Sequence, residues 1–357
     1  MTVVLTPPTA ADTRSSLADW LELLTLSSSR GRTTKAALTN VLDIDEDEAA
    51  EPPAVDEETG EPLDTAILED ERTKIIDAAF EELEYRATTL GSAYPFRVDV
   101  RRLVLERIED EVTSPCHVTY VFCLLASAIR ERKLQPAKEI APAENGIANA
   151  FQICACLAAG GYLNGDVSSF GFPRASGDGF LPALRSAFAR FGMGEVRTEI
   201  PDGLPVSLKD GGIDIIAWRN HPDRMPGKIY LLGQCASGYV WHEKSVVEYI
   251  EQLHGTWFTT TPANYSLPAM FIPFTFHRDM TEDRTGPFLA AVKNRYWYEE
   301  KRYGIIFDRL RIAYFASSCI AEDYKTRYEI DGTDRITEVQ TWVGNVLRLS
   351  GLEAPRG

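Results

Sequence analysis

The sequence predicts an α/β (α+β) protein with a mainly α-helical N-terminal region and a mixed sheet, flanked by helices, in its second half. Three observations lead there. Apolar residues recur at helical spacing through much of residues 1–135. Short Ile- and Leu-rich runs separated by turn residues first appear after residue 210. Helical patterns stand on both sides of those runs, as a sheet covered by helices requires. The division that follows is a helical region over 1–135 and a second region over 136–357 with a C-terminal extension.

Residues 16–41 read as helix in two pieces, with Leu17, Trp20, Leu21 and Leu24 on one face of the first. Residues 43–70 then carry thirteen acidic side chains and no Lys or Arg, together with Pro52, Pro53 and Pro62. Such a segment buries too little apolar surface to offset the entropy of ordering, and reads as a mobile loop or linker. A strip that mimics nucleic-acid phosphates is the competing reading. This segment accounts for most of the formal net charge of -16, so the charge does not exclude a nucleic-acid partner.

Helical spacing resumes at Ile75, Ile76, Ala79, Phe80 and Leu83, and again over residues 118–129, with an extended stretch at 94–100 between them. Residues 146–159 predict a helix ended by Gly160 and Gly161, and residues 181–191 one ended by Gly192. Residues 212–219 and 228–236 predict strands around the turn at 220–227. Helices are expected at 246–253 and at 336–349.

Several chemistries lack their residues. Gly211-Gly212 has neither the spacing nor the Lys-Ser/Thr ending of a phosphate loop, and G-x-S-x-G and H-E-x-x-H are both missing. The six cysteines form no C-x-x-C pair and read as free thiols. No apolar run stands out as a membrane span, and residues 1–8 lack a basic, cleavable leader; a cytoplasmic protein is the expectation.

The chemistry-bearing segment is Asp210-Gly211-Gly212-Ile213-Asp214, followed by Gln234-Cys235-Ala236. Pairing the two runs as an antiparallel hairpin sets Asp214 opposite Gln234 and puts Gln234 and Ala236 on one face. A carboxylate with neighbouring oxygens is what a Mg²⁺ ion needs for phosphodiester hydrolysis.

This pattern resembles the Mrr-type restriction endonucleases of the PD-(D/E)xK nuclease superfamily: a DGGxD strand, a second strand ending in Q-x-K, then a helix. The resemblance spans residues 146–255 and implies a restriction-endonuclease-like mixed sheet and Mg²⁺-dependent cleavage of DNA in bacterial restriction or anti-phage defence. It makes Asp214 the metal-binding acid and Gln234 the partner that stands for a second acid, with the Cys235 carbonyl as a further ligand. Residue 236, where the family has Lys, is Ala. Lys244 is then the displaced lysine of an active site, or the site is degenerate and the chain is a DNA-binding or scaffold subunit of a defence complex. The family's Phe-Glu pair on the preceding helix is here Phe151-Gln152, which leaves Glu144 as the additional acid, or as an ordinary helix-entry residue. Cleavage of both strands by one site per chain favours a homodimer, or a partner protein of the same system.

Three further features have two readings each. His242 is a general base or a surface residue at a helix start. The loop at Phe170-Gly171-Phe172-Pro173-Arg174 touches DNA or packs. The basic and aromatic residues between Lys293 and Arg311 contact phosphates or form an ordinary amphipathic element.

Overall fold

The computed structural model describes residues 4–48, 65–108, 113–135, 141–172, 174, 177–204, 211–281, 287–320 and 322–349. Its N-terminal part contains β1 (Val4–Leu5), α1 (Arg14–Ser27), β2 (Arg32–Thr34), α2 (Lys35–Glu48), α3 (Thr65–Leu90), β3 (Phe96–Asp99), β4 (Val104–Arg107), α4 (Pro115–Arg130) and β5 (Leu134–Gln135). The second part runs α5 (Ala141–Leu163), β6 (Asp166–Ser169), α6 (Phe180–Phe191), β7 (Glu195–Val196), β8 (Ile215–Arg219), β9 (Ile229–Cys235), α7 (Val246–Trp257) and β10 (Phe258–Thr260). It ends with β11 (Leu267–Phe271), α8 (Phe288–Tyr303), β12 (Ile305–Phe307), α9 (Arg309–Ser318), α10 (Glu322–Arg327) and α11 (Ile336–Leu349). The fold is a mixed α/β arrangement with a helical N-terminal region. Of the acidic segment, residues 49–64 lie outside the described residues.

The central sheet has the order β12-β11-β9-β8-β6. β8 runs antiparallel to both its neighbours, β6 and β9, and β11 and β12 run parallel to β9. Parallel neighbours need a crossover, which α7 supplies between β9 and β11 and α8 between β11 and β12. The β8–β9 hairpin pairs Ile215 with Gly233 and Arg219 with Ile229, the register the spacing predicts.

Alternation along these strands feeds two cores. Ile215, Ala217, Leu231, Ala269, Phe271 and Phe307 join a cluster that continues through α5, α9 and α4 into Leu17, Leu21, Phe80 and Leu83 of the N-terminal helices. Ile216, Trp218, Tyr230, Leu232, Met270 and Ile306 face the opposite way, against Phe188 and Phe191 of α6 and Ile250 and Trp257 of α7. Burial on both faces explains why the strands read as unbroken apolar runs.

Two helices outrun the ends predicted from their glycines. α5 continues through Gly160 and Gly161 to Leu163, because the glycines serve close packing rather than termination. A Cβ on Gly161 would stand 2.1 Å from the Phe315 carbonyl oxygen of α9. α7 likewise passes Gly255 and buries Trp257. Within α5, Gly146–Leu163 is long and apolar enough to cross a membrane, a feature the sequence reading passed over; 72% of that stretch is buried inside the fold.

The N-terminal helices are tied to the sheet by a buried network of charges. Asp19 of α1 accepts from Arg86 of α3 (2.7 Å) and from Arg309 of α9 (2.6 and 2.9 Å). Glu82 accepts from Arg86 Nε at 2.8 Å and from His277 Nε2 at 2.9 Å. Glu22 accepts from the Tyr94 and Tyr120 hydroxyls, both at 2.7 Å. Burial pushes the Asp19 carboxyl up, but the Arg309 and Arg86 guanidiniums together hold it far below the usual carboxylate range. Burial also acts on Glu82, where the His277 and Arg86 charges prevail and lower it. At Glu22 burial outweighs the pull of Arg86, and the carboxyl is raised.

Candidate functional site at the start of β8 and the end of β9

Asp214 sits just before β8, after a turn that Gly211 and Gly212 make with φ of +63° and +81°. A Cβ on Gly212 would fall 2.4 Å from the Tyr249 ring of α7, so glycine answers both the conformation and the contact. Lys209 and Asp210, ahead of the turn, lie outside the described residues.

The backbone of Asp214 is clamped. Its N–H donates to the Gly233 carbonyl at 2.8 Å, and its carbonyl accepts from the Phe170 and Gly171 N–H groups at 2.7 and 3.0 Å. Gln152 of α5 reaches the same carbonyl with Nε2 at 3.3 Å, and also donates to Ser169 Oγ at 2.8 Å. The carboxylate oxygen Oδ2 accepts from the Cys235 N–H at 2.7 Å, a side chain continuing the ladder where β8 has not yet begun. The other oxygen, Oδ1, lies against Gly171, where a Cβ would come within 2.5 Å of it.

Gln234 is level with Asp214 across the hairpin and alternates with Leu232 and Ala236 on the face covered by α6 and α7. It is 6% exposed, and its Oε1 is buried with no hydrogen-bond partner among the described residues. An amide oxygen in that state costs about 1–3 kcal/mol. Ala236 is 2% exposed within the apolar cluster that also holds Trp241 and Val246.

The Cys235 thiol is pushed well above its ordinary range by burial and by the Asp214 charge, with Lys244 acting in the opposite sense. Lys244 stands in the connection from β9 to α7. It is half-buried and follows the short 3₁₀ turn Tyr239–Glu243 that leads into α7. Asp214 is thus held against the Cys235 N–H at the end of β9, Gln234 precedes Cys235 in the strand, and Lys244 follows in the connection to α7. Glu144 lies in the first turn of α5, and its side chain is outside the described residues.

The alternatives left open by the sequence divide. The His242 ring is exposed and packs edge-on against Trp241, while the His242 carbonyl accepts from the Tyr303 hydroxyl at 2.6 Å. Arg174 stacks over the Phe170 ring at 4.8 Å, so this part of the loop packs; Pro173 lies outside the described residues. Along α8, Tyr303 is buried and Tyr296 stacks on Phe276 at 4.1 Å, whereas Trp297 and Tyr298 are exposed.

Sequence reasoning missed Ser169 and Asp331. The Ser169 N–H donates to Asp331 Oδ2 at 2.9 Å, and Asp331 accepts from Arg190 at 3.0 and 3.1 Å. A cleft of about 330 Å³ opens there, lined by Gln152, Ser169, Arg174, Asp331 and Arg335. These residues come from four separate elements, and no spacing in the sequence joins them.

Among the described residues, no group of three or more His, Cys, Asp or Glu side chains is placed to hold a metal ion. Compared with known proteins, the chain matches no family model, no curated protein and no solved structure.

Proposed function

We propose that the chain is a Mg²⁺-dependent endonuclease that hydrolyses DNA phosphodiester bonds, with a restriction-endonuclease-like core. One observation carries this reading. After α5, three antiparallel strands are followed by a crossover helix and a strand parallel to the third, and Asp214 opens the second strand level with Gln234 near the end of the third. Within it, the order of an Asp214 strand, a strand ending near Gln234 and then a helix is the order the Mrr-type resemblance implies. A place in bacterial restriction or anti-phage defence, and a second copy or partner protein, follow from the same resemblance.

The ligands this reading assigns, the Asp214 carboxylate with the neutral oxygens of Gln234 and of the Cys235 carbonyl, are of the kind a hard cation takes. Mg²⁺ keeps several waters and commonly takes only one or two carboxylates, and the orphaned Gln234 Oε1 is an oxygen such an ion would satisfy. When bound, Mg²⁺ supplies charge for the scissile phosphate and for activation of water. The chain itself holds the Asp214 carboxylate through a hydrogen bond to Oδ2 from the Cys235 N–H. On this reading Lys244, in the connection from β9 to α7, would supply the ammonium that holds or orients the attacking water.

A second reading has an observation of its own: Ala236 is sealed in an apolar cluster, and among the described residues no group of three or more His, Cys, Asp or Glu side chains is placed to hold a metal ion. A nuclease-fold protein that binds DNA without cutting fits those facts. Cleavage of plasmid and phage DNA with Mg²⁺ or Mn²⁺ separates the two. Wild type should nick or cut, and Asp214→Ala and Lys244→Ala should be inactive. Full activity in Asp214→Ala would remove the nuclease site from this position, and binding without cutting would favour the second reading.

A further inference from the structure

A second cleft lies at the opposite end of the β8–β9 hairpin. Its turn is held by internal bonds: the Arg224 N–H donates to the His221 carbonyl at 2.9 Å, and the Met225 N–H to Asp223 Oδ1 at 3.1 Å. Arg224 takes a φ of +58°, a left-handed conformation that glycine adopts freely and a residue with a Cβ adopts at a cost. The cleft, about 680 Å³, is lined by His221 and Arg224 from this turn, Lys228, Arg190 of α6, and Arg327 and Glu329 at and beyond the end of α10.

Four Lys or Arg side chains line the cleft against two carboxylates, Asp166 and Glu329. Most of these charges are already engaged. Asp166 accepts from the Asn220 amide and from the Glu329 N–H. Arg190 pairs with Asp331 at 3.0 Å and with Glu329 at 3.4 Å. Lys228 donates to the Phe191 carbonyl and so caps α6. Arg224 and Arg327 remain: both are exposed, and neither has an ion-pair partner among the described residues.

We infer that this cleft binds the phosphate backbone of a nucleic-acid strand, with Arg224 and Arg327 as its phosphate contacts. Two uncommitted guanidiniums facing one cleft match phosphate oxygens with paired donors. The strained backbone at Arg224 makes sense if its side chain is required there, since glycine would relieve the strain and remove the cation. The distance is also suitable. The strand from Asp214 to the turn covers roughly 20 Å at about 3.3 Å per residue. A nucleic-acid strand spans that in roughly six nucleotides. Reach to Asp214 rests on the nuclease reading; binding at the cleft does not.

The test is fluorescence anisotropy with labelled DNA and the full-length chain in EDTA, over a series of salt concentrations. Arg224→Gly and Arg327→Gln should each weaken binding several-fold, and the double variant should flatten the salt dependence by about two counterions. Arg224→Gly should melt no lower than wild type, which separates lost binding from lost folding. Wild-type affinity and salt slope in the double variant would overturn the inference. So would binding of inorganic tripolyphosphate through the two arginines that DNA fails to displace, which would mark a small-anion site. A wild type that binds through these arginines but never cuts leaves the inference standing and removes the nuclease reading alone.

Discussion

At the ends of β11 and β12 the buried charges are matched nearly group for group, whereas at the end of β9 a buried amide oxygen stands without a partner. The three strands are parallel, so both regions occupy the same end of the sheet. Beyond β11 and β12, His277 and Arg309 meet Glu82, Arg86 and Asp19 of the N-terminal helices, and all five side chains are at most 14% exposed. Glu22 Oε2 is the exception, with Arg309 Nη1 4.0 Å away. Beyond β9, Gln234 Oε1 has no hydrogen-bond partner among the described residues. A saturated network can only hold elements together. A site meant for a ligand must leave something unsatisfied, and in parallel sheets ligands collect at the carboxyl ends of strands. The N-terminal region closes two of these ends, and at the third a buried oxygen stays unpaired among the described residues.

The largest effect expected of this contrast is at Arg86. Arg86→Met would leave Asp19, Glu22 and Glu82 sharing one guanidinium, that of Arg309, beside His277. Breaking a buried ion network from one side costs about 3–5 kcal/mol. Urea unfolding should show that loss. A loss under about 1 kcal/mol would mean the network is not the tie described here.

Acid should act on the same network with opposite signs at different groups. Asp19 and Glu82 are held below their ordinary values of 3.8 and 4.5. Their contribution is complete above those values and is lost as pH falls through the depressed ones. Glu22 is raised, so its contribution is complete below 4.5 and is lost as pH rises through the higher folded value. Asp19→Asn should therefore be destabilising at neutral pH by about 2–4 kcal/mol, and by progressively less in acid. Glu22→Gln, which retains an acceptor for Tyr94 and Tyr120, should be close to neutral at pH 7. Stability measured from neutral pH down to pH 3 checks both, and a Glu22→Gln loss as large as that of Asp19→Asn would reverse the assignment.

The sequence disclosed one region better than the other, for a physical reason. The site hairpin is local: alternation and one turn fix its register, so Asp214 opposite Gln234 was legible from residues 212–236. The network joins positions as distant as Asp19 and Arg309, and no local period records that pairing. The glycines of α5 misled for a related reason. Gly161 looks like a helix stop until Phe315 of α9, far along the chain, is placed against it. Ser169 and Asp331 escaped for the same cause.

The smallest effect bears most directly on the comparison. Gln234→Leu removes an amide oxygen that has no partner and sits in line with Leu232 and Ala236 on an apolar face. Loss of a hydrogen-bonded buried amide would cost about 1–3 kcal/mol, but loss of an orphan should be neutral or stabilising by up to about 1 kcal/mol. Under the proposed function the same variant should lose DNA cleavage, so stability and activity would move apart. Urea unfolding and plasmid cleavage on one preparation measure both. If Gln234→Leu unfolds more easily by over about 1 kcal/mol, the amide is a structural group like those of the network, and the two ends of the sheet are alike after all.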